Sequence, residues 1–460
     1  MKKLVIIPSD TIESLIESGH GLDLMEERYN PGKVFDEVYC LFTHEKNQEY
    51  GTIKYIKVEL NEIKKYIESI KPDLVRTLGE KGAIYGIWNR VPNIPIVSSV
   101  HDVNPIFMDQ CLKYADKVVC VSNKVKKTVI ENMGIEEEKT VVIPNYVNTN
   151  SFYKREVTDI NDKMEKKYGK GKHILHVGRK AEEKNIETVI RALKYLPEEY
   201  SAIFLGNGDV QPYIEIAKRE GVNHRCFWEK AVSNKELIYY YSWCDCMCTP
   251  SKWEGFGIVF IEAAACSCSI VTSNIAPMNE FLTNGKNAIL VDDYLNPIAI
   301  AEAIERATKD TKEILEMCEK AREVGLQFSR EVVDELVINL YKDVIQKGAD
   351  NNNIEKIQKE NCIKKVILFG AGKNGINLLK NLNQEEVAYF VDNNREKIGE
   401  KINGIEVISY EKLLNIHENY RIVVTPFDSK SICEQLIKDN VQYTSLKWFL
   451  LLKGIEINNK

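Results

Sequence analysis

Short apolar runs bounded by turn residues recur along this sequence, and a stretch with helical spacing separates one from the next. KLVIIP, EVYCLF, PDLVRTL, IPIVSSVH, KVVCVS and KTVVIPN fill the first 150 residues, with NEIKKYIESI and SNKVKKTVIENMG between them. A run that is apolar throughout suits a strand covered on both faces. Strands alternating with helices imply a mainly parallel sheet with helices on both sides. The alternation restarts at HILHVG (173–178) and continues through YSAIFLGNG, WCDCMCTPS, CSIVTSN and NAILVDD. It restarts again at KKVILFGAG, followed by VAYFVDNN, IEVIS and YRIVVTP. The fold class is therefore α/β, with three nucleotide-binding-like units, the first two forming a pair.

The expected boundaries are 1–150, a polar linker over 150–170, and a second unit over 171–330. A closing helix at 331–347 is expected to return to the first unit. On it Val332, Val333, Leu336, Val337, Leu340, Tyr341, Val344 and Ile345 share a stripe, and Gly348 is a natural stop. The Asn-rich 348–361 reads as a second linker before a third unit at 362–460. A chain of 460 residues needs more than one core in any case.

The net charge of −6 argues against a nucleic-acid partner. Twelve cysteines are scattered, and the alternation of Cys244, Cys246 and Cys248, and of Cys266 and Cys268, suggests buried thiols on strand faces in a reducing compartment. No cysteine spacing fits a zinc site, so no metal is expected. The apolar run after the first lysines is too short for a signal core, and no run reaches membrane-span length. The expectation is a cytoplasmic protein. Lys124, Lys126 and Lys127 on one predicted helix leave open a peripheral membrane contact, against the alternative of a solvated face.

The chemistry concentrates in the middle unit. Arg179 and Lys184, in VGRKAEEKN, follow a strand, and ligands of parallel sheets bind at strand carboxyl ends. Two cations there suit a diphosphate. In EGFGIVFIEAAA (254–265), Gly255 and Gly257 permit a tight turn and close ligand approach. A helix starting near Gly257 would present free amides and a dipole to an anion. Ala263, Ala264 and Ala265 would let it lie close to the sheet. Glu254 falls in the loop and Glu262 a turn into the helix, where carboxylates can accept sugar hydroxyls. That order of groups is the order of a nucleotide sugar. A helix with one capping and one surface glutamate is the plainer alternative.

These segments, together with GNGDVQPYIEIAKREGV, CDCMCTPSKWEGFGIVFIEAAAC and NEFLTNGKNAILVDD, resemble the donor half of the retaining glycosyltransferase family 4 enzymes of GT-B fold. Two glutamates with seven residues between them are that family's signature. VRTLGEKGAIYG, SSVHD, ADKVVCVSN and VIPNYVNTNSF are similar to its acceptor half. The resemblance implies two Rossmann-like domains in a GT-B arrangement. It implies Arg179 and Lys184 on the donor diphosphate, Glu254 by the transferred sugar, Glu262 on the ribose, and the amides of Phe256, Gly257 and Ile258 on sugar and phosphate. His101 would face the reacting centre, and Asn145 would lie near the hinge. The implied reaction moves a sugar from a nucleoside diphosphate sugar to a glycan or lipid-linked acceptor hydroxyl. It is implied to proceed with retention and without a metal, and no Asp-x-Asp is present. The pattern departs at ACSCS, where Ser267 and Ser269 replace a glycine and a proline. It departs again at IIPSDTIESL, which lacks the usual glycines, at Asn148, and at FWEKA, whose Trp228 and Glu229 could reshape the base pocket or simply pack. These departures keep open a non-catalytic sugar-nucleotide sensor or scaffold.

In the third unit, Gly370, Gly372 and Gly375 follow a strand, and Asp392 ends the next one. This fits a dinucleotide fingerprint. The unit is too short to hold a substrate domain as well. It is similar to small Rossmann-like domains appended to sugar-modifying enzymes. NAD(P) or another nucleotide is the expected ligand, with assembly of oligomers, or an NAD-dependent oxidation, as the alternatives.

Overall fold

A computed structural model describes residues 1–9, 22–42, 48–105, 108–156, 158–353, 356–357, 365–426 and 429–452. The first sheet contains β1 (Lys3–Pro8), β2 (Glu37–Phe42), β3 (Gln48–Tyr50), β4 (Ile53–Lys57), β5 (Leu74–Leu78), β6 (Ile96–Val100), β7 (Lys117–Cys120) and β8 (Thr140–Val142). Its order is β3-β4-β2-β1-β5-β6-β7-β8. Every pairing is parallel except β3 with β4, a hairpin at the sheet edge that the apolar pattern did not reveal.

The second sheet is parallel throughout. It holds β9 (Lys172–Val177), β10 (Tyr200–Leu205), β11 (Cys226–Glu229), β12 (Cys246–Cys248), β13 (Ile270–Ser273) and β14 (Ile289–Val291), ordered β11-β10-β9-β12-β13-β14. The third holds β15 (Val366–Phe369), β16 (Val387–Val391), β17 (Lys401–Ile402), β18 (Ile405–Ile408), β19 (Arg421–Val424) and β20 (Tyr443–Ser445), ordered β17-β18-β16-β15-β19-β20. In each sheet the chain builds outward from one strand and then crosses to its other side. The switch points are β1/β5, β9/β12 and β15/β19, and the crevice at the strands' carboxyl ends there is the natural ligand position.

Several expectations need correction. The stretch 150–170 is not only linker: Thr158–Tyr168 is a helix whose Met164 and Tyr168 are buried. Tyr168 seats it on the second unit, ring to ring with Phe227 at 5.2 Å and hydroxyl to hydroxyl with Tyr240 at 2.9 Å. The closing helix runs Arg330–Lys347, but its stripe is narrower than its sequence implies. Val333, Leu340, Tyr341 and Val344 pack with Leu4, Ile6, Val38 and Leu74 of the first unit, while Val332 and Leu336 are 46% and 43% exposed. Cys266 and Cys268 flank a helix end and a turn rather than alternating along a strand, though both are buried.

The first two units are joined twice, by the outgoing segment at Val147 and the returning one at Phe328 and Ser329. The Val147 amide donates to the Phe328 carbonyl at 2.9 Å. Beyond Gly348 the chain stays on the first unit. The Asp350 amide donates to Asp116 at 2.7 Å, and Asp116 is paired at 2.8 Å with the buried Arg90.

Candidate active site

Two loops meet at the β9/β12 switch point. After β9 a single 3₁₀ turn, Glu182–Lys184, carries Lys184, whose carbonyl is held by His176 Nε2 at 2.9 Å. Burial pushes the His176 imidazole down to about 4, so it is neutral and fit for this bond. The next residue, Asn185, is buried, and its amide donates to the carbonyls of Pro250 and Tyr294, each at 3.0 Å. The loop after β9 is thereby tied to the loop after β12. The result is an ion pair across the switch point: Lys184 Nζ lies 2.5 Å from Glu254 Oε1, both side chains being about nine-tenths buried. Ser251 donates to the same carboxylate oxygen at 2.8 Å.

Glu254 is followed by Gly255, whose role differs from the expected approach to a ligand. A Cβ here would stand 1.8 Å from the carbonyl oxygen of His101, so the glycine admits the backbone of the first unit instead. Ser122 reinforces the contact, donating to the Gly255 carbonyl at 2.7 Å while capping the helix Asn123–Met133 through the Val125 amide at 3.1 Å. Glu280 of the second unit accepts from the amides of Asn123 and Lys124, at 2.8 and 2.7 Å. The two units thus close on each other beside the Lys184–Glu254 pair.

Phe256 is buried, stacked on Phe281 at 5.3 Å and edge-on to Phe328 at 5.5 Å. Gly257 has φ +87° and caps the helix Ile258–Ala265, whose first amides have no partner within the helix. Ile258, at its start, is 40% exposed. Ala263, Ala264 and Ala265 are fully buried, but the close neighbour is the helix Lys312–Gln327. A Cβ on its Gly325 would lie 2.6 Å from the Ala265 nitrogen. Glu262 accepts from the Tyr241 hydroxyl at 3.0 Å and lines a cavity of about 280 Å3 between the units. Burial raises its carboxyl to about 7, the Tyr241 bond only partly offsetting this.

His101 lines the same cavity. Burial, with repulsion from Arg28 and Arg76, pushes its imidazole down to about 3, and its Nε2 meets Ser99 Oγ at 3.2 Å. Asn145 also lines this cavity, beside the crossover.

Arg179 is not gathered with the others. Its side chain is 78% exposed and pairs with Glu183 at 2.8 Å. The residue beside it is the one the sequence concealed. Lys180 is buried, its ammonium bonded to the carbonyls of Phe204 at 3.0 Å, Gly206, and Glu229 at 2.7 Å. Burial lowers its amine to about 8 against the pull of Glu229. It ties together the carboxyl ends of β10 and β11. Trp228 packs, stacked on Phe204 at 4.6 Å, and Glu229 pairs with Lys167 at 2.7 Å. On the lysine-bearing helix, Lys126 pairs with Glu137 at 3.0 Å and Lys127 with Glu131 at 3.7 Å. Among the described residues no helix is long and apolar enough to cross a membrane.

In the third unit the expected residues do meet. Gly370 and Gly372 follow β15, and a Cβ on Gly375 would lie 2.3 Å from the Gly370 carbonyl oxygen. Asp392 is engaged already, accepting from the Ala371 amide and from Lys397 Nζ, each at 2.9 Å. Burial would raise its carboxyl, but bonds from Asn394, Lys397 and Ala371 outweigh this and hold it below its ordinary range.

Comparison with known proteins bears on the two paired units and on the third. The family model described as Glycosyltransferase Family 4 matches residues 10–151, and that described as Glycosyl transferases group 1 matches 157–324. Residues 10–151 and 157–324 are thus similar to glycosyltransferase domains, and the two paired units share the GT-B fold. A third model, C2185-like, N-terminal, matches 362–446. An uncharacterized glycosyltransferase of Methanocaldococcus jannaschii is 32% identical over 206 residues, which is 42% of this chain and 51% of that protein. The O-antigen chain mannosyltransferase RfbU of Salmonella typhimurium is 28% identical over 42% of this chain and 56% of its own length. The chain thus spans about half the length of these two curated relatives. Among solved structures, Anabaena HepE in complex with UDP and glucose superimposes with a TM-score of 0.61 at 19% identity, over 75% of this chain and 100% of that one. Sucrose-phosphate synthase from Thermosynechococcus elongatus does so at 0.63 and 18%, over 75% and 99%.

Proposed function

We propose that this chain moves a sugar from a nucleoside diphosphate sugar to an acceptor hydroxyl, with retention, in polysaccharide or glycoconjugate synthesis. The observation that carries the proposal is the Lys184–Glu254 pair, held at 2.5 Å across the β9/β12 switch point beside a glycine-capped helix. Supporting it are the matches of residues 10–151 and 157–324 to glycosyltransferase family models and a structural neighbour solved with UDP and glucose.

The barrier to transfer is cleavage of the anomeric C–O bond, with negative charge growing on the departing diphosphate. Fixed cations and amides aimed at that charge lower the barrier most. In this proposal Lys184 turns from Glu254 to the diphosphate, and Arg179 leaves Glu183 to join it. The first amides of Ile258–Ala265 complete the cradle. Glu254, released, accepts sugar hydroxyls, and Glu262 accepts those of the ribose. A neutral His101 offers the acceptor side a polar group without added charge. The cations do the work of a bridging metal, so a chelator is expected to leave turnover unchanged. The third unit stands outside the transfer step, as an auxiliary nucleotide-binding or assembly domain.

The test is a screen of UDP-, GDP- and ADP-sugars for binding and slow hydrolysis, followed by Lys184→Ala and Arg179→Ala. Each substitution is expected to lower turnover by about 100-fold or more, as losing an oxyanion donor does. Near-normal turnover in both would remove the proposed charge stabilisation. Binding without hydrolysis in the wild type would favour a sugar-nucleotide sensor instead.

A further inference from the structure

Arg76 interrupts the apolar strand β5 and is 7% exposed. Among the described residues its Nε and Nη1 have no hydrogen-bond partner, although the Tyr341 phenol lies against the guanidinium. A guanidinium this deep, with two of its nitrogens unmatched, is costly to the fold unless an anion answers it. Arg76 lines the cavity of about 280 Å3 between the two paired units, and Arg28 lines the same cavity. The two carboxylates in its lining are otherwise engaged, Asp334 with Arg330 at 3.1 Å and Glu262 with Tyr241 at 3.0 Å. Among the described residues no ion pair joins either Arg76 or Arg28 to an acid.

The cavity also fixes which ligand would bring the anion. It extends from Ile6 and Arg76 in the first unit, past His101, to Glu262 on the donor-side helix. The donor diphosphate has its own cations in the loop after β9. What reaches Arg76 enters from the acceptor side. A planar guanidinium fork matches carboxylate and phosphate oxygens in pairs. We propose that the acceptor carries a phosphate or carboxylate group, and that Arg76, with Arg28 beside it, recognises that group. This rests on the transfer reading for the word acceptor, though the anion site itself does not.

The test is calorimetric titration of the full chain carrying Lys184→Ala, which blunts the donor phosphate site, with inorganic phosphate, glucose 6-phosphate and glucose. Both phosphates are expected to bind, glucose at least about ten-fold more weakly, and addition of Arg76→Gln is expected to erase that difference. Without ligand, Arg76→Met should melt above the wild type, because it removes an unanswered buried charge. A structural arginine would give the opposite shift. Failure of the phosphates to bind, binding indifferent to Arg76→Gln, or a lower melting temperature for Arg76→Met would overturn the proposal. A preference for UDP-glucuronate over UDP-glucose that Arg76→Gln abolishes would move the anion to the donor and overturn the assignment to the acceptor. A wild-type chain that hydrolyses no nucleotide sugar yet binds phosphate through Arg76 would sink sugar transfer while leaving the anion site standing.

Discussion

Glu262 makes the most direct link between a single side chain and a measurable property. Burial raises its carboxyl from 4.5 to about 7. The folded chain therefore holds this proton more tightly than the unfolded chain, and folding is favoured at low pH. That advantage is lost as pH rises from about 4.5 to about 7 and amounts to ~3 kcal/mol at most. Glu262→Gln has no charge to desolvate. Its melting temperature, compared with the wild type at each pH, is expected to gain between pH 5 and 7 and then level off. A difference that stays flat with pH would show that the carboxyl titrates normally. Which side chains could be anticipated follows the same logic of partners. Lys184 and Glu254 were legible because each follows a strand and each would meet the same ligand. Lys180 was not, since its three carbonyl partners come from two other strands and leave no trace beside it in sequence. Arg76 did leave a trace, a charge inside an apolar run, and its meaning became clear only once Tyr341, Arg28 and His101 were seen around it. Arg179 shows the reverse: its spacing from Lys184 suggested convergence, and the nearer Glu183 has taken it.

The helix Ile258–Ala265 was foreseen with its glycine start and small residues, but its neighbour was not. Periodicity reports which face is buried and not what buries it. The alanines meet Gly325 of Lys312–Gln327, a pairing of two glycine- and alanine-bearing faces that brings backbones together. A methyl group on Gly325 would stand 2.6 Å from the Ala265 nitrogen, so one helix has to move. Gly325→Ala is expected to destabilise the fold by about 1–3 kcal/mol through overpacking, despite alanine's higher helix propensity. Denaturant unfolding reads the change directly. A gain in stability, as propensity alone would give, would mean that the helices slide apart without cost. A shift here would also displace Glu262, one turn from Ala265, so donor affinity should fall with stability. The hairpin β3–β4 was missed for a related reason. EYGTIKYIK carries a turn signal at Gly51, but the short strand before it has no apolar run to mark it.

The three sheets are arranged so that their ligand edges do not compete. In the first unit Trp88 and Gln110, which touch the third, and Lys139, which lines the cavity between them, precede strands β6, β7 and β8. In the third unit Arg421 and Tyr443 begin β19 and β20. The two sheets therefore face each other through their amino-terminal edges, across a cavity of about 630 Å3. The contact is polar: the Tyr443 amide donates to Gln110 at 3.2 Å, and Arg421 lies over the Trp88 ring at 5.4 Å. Gly370 and Asp392, which end strands, are on the far edge of the third sheet. His101 and Ser122 are on the far edge of the first. Docking thus leaves both carboxyl-end crevices free and keeps the third unit away from the proposed transfer site. A substitution at the docking surface should then separate assembly from chemistry. Arg421→Ala removes the cation over Trp88, and polar interfaces of this kind within a chain permit relative motion when weakened. Its radius of gyration by small-angle scattering is expected to rise, while nucleotide-sugar hydrolysis stays within about two-fold of the wild type, since distant sites behave independently. If hydrolysis fell in step with the loss of docking, the third unit would be coupled to the transfer site through the first sheet. Its role would then be control of the reaction rather than attachment or separate binding.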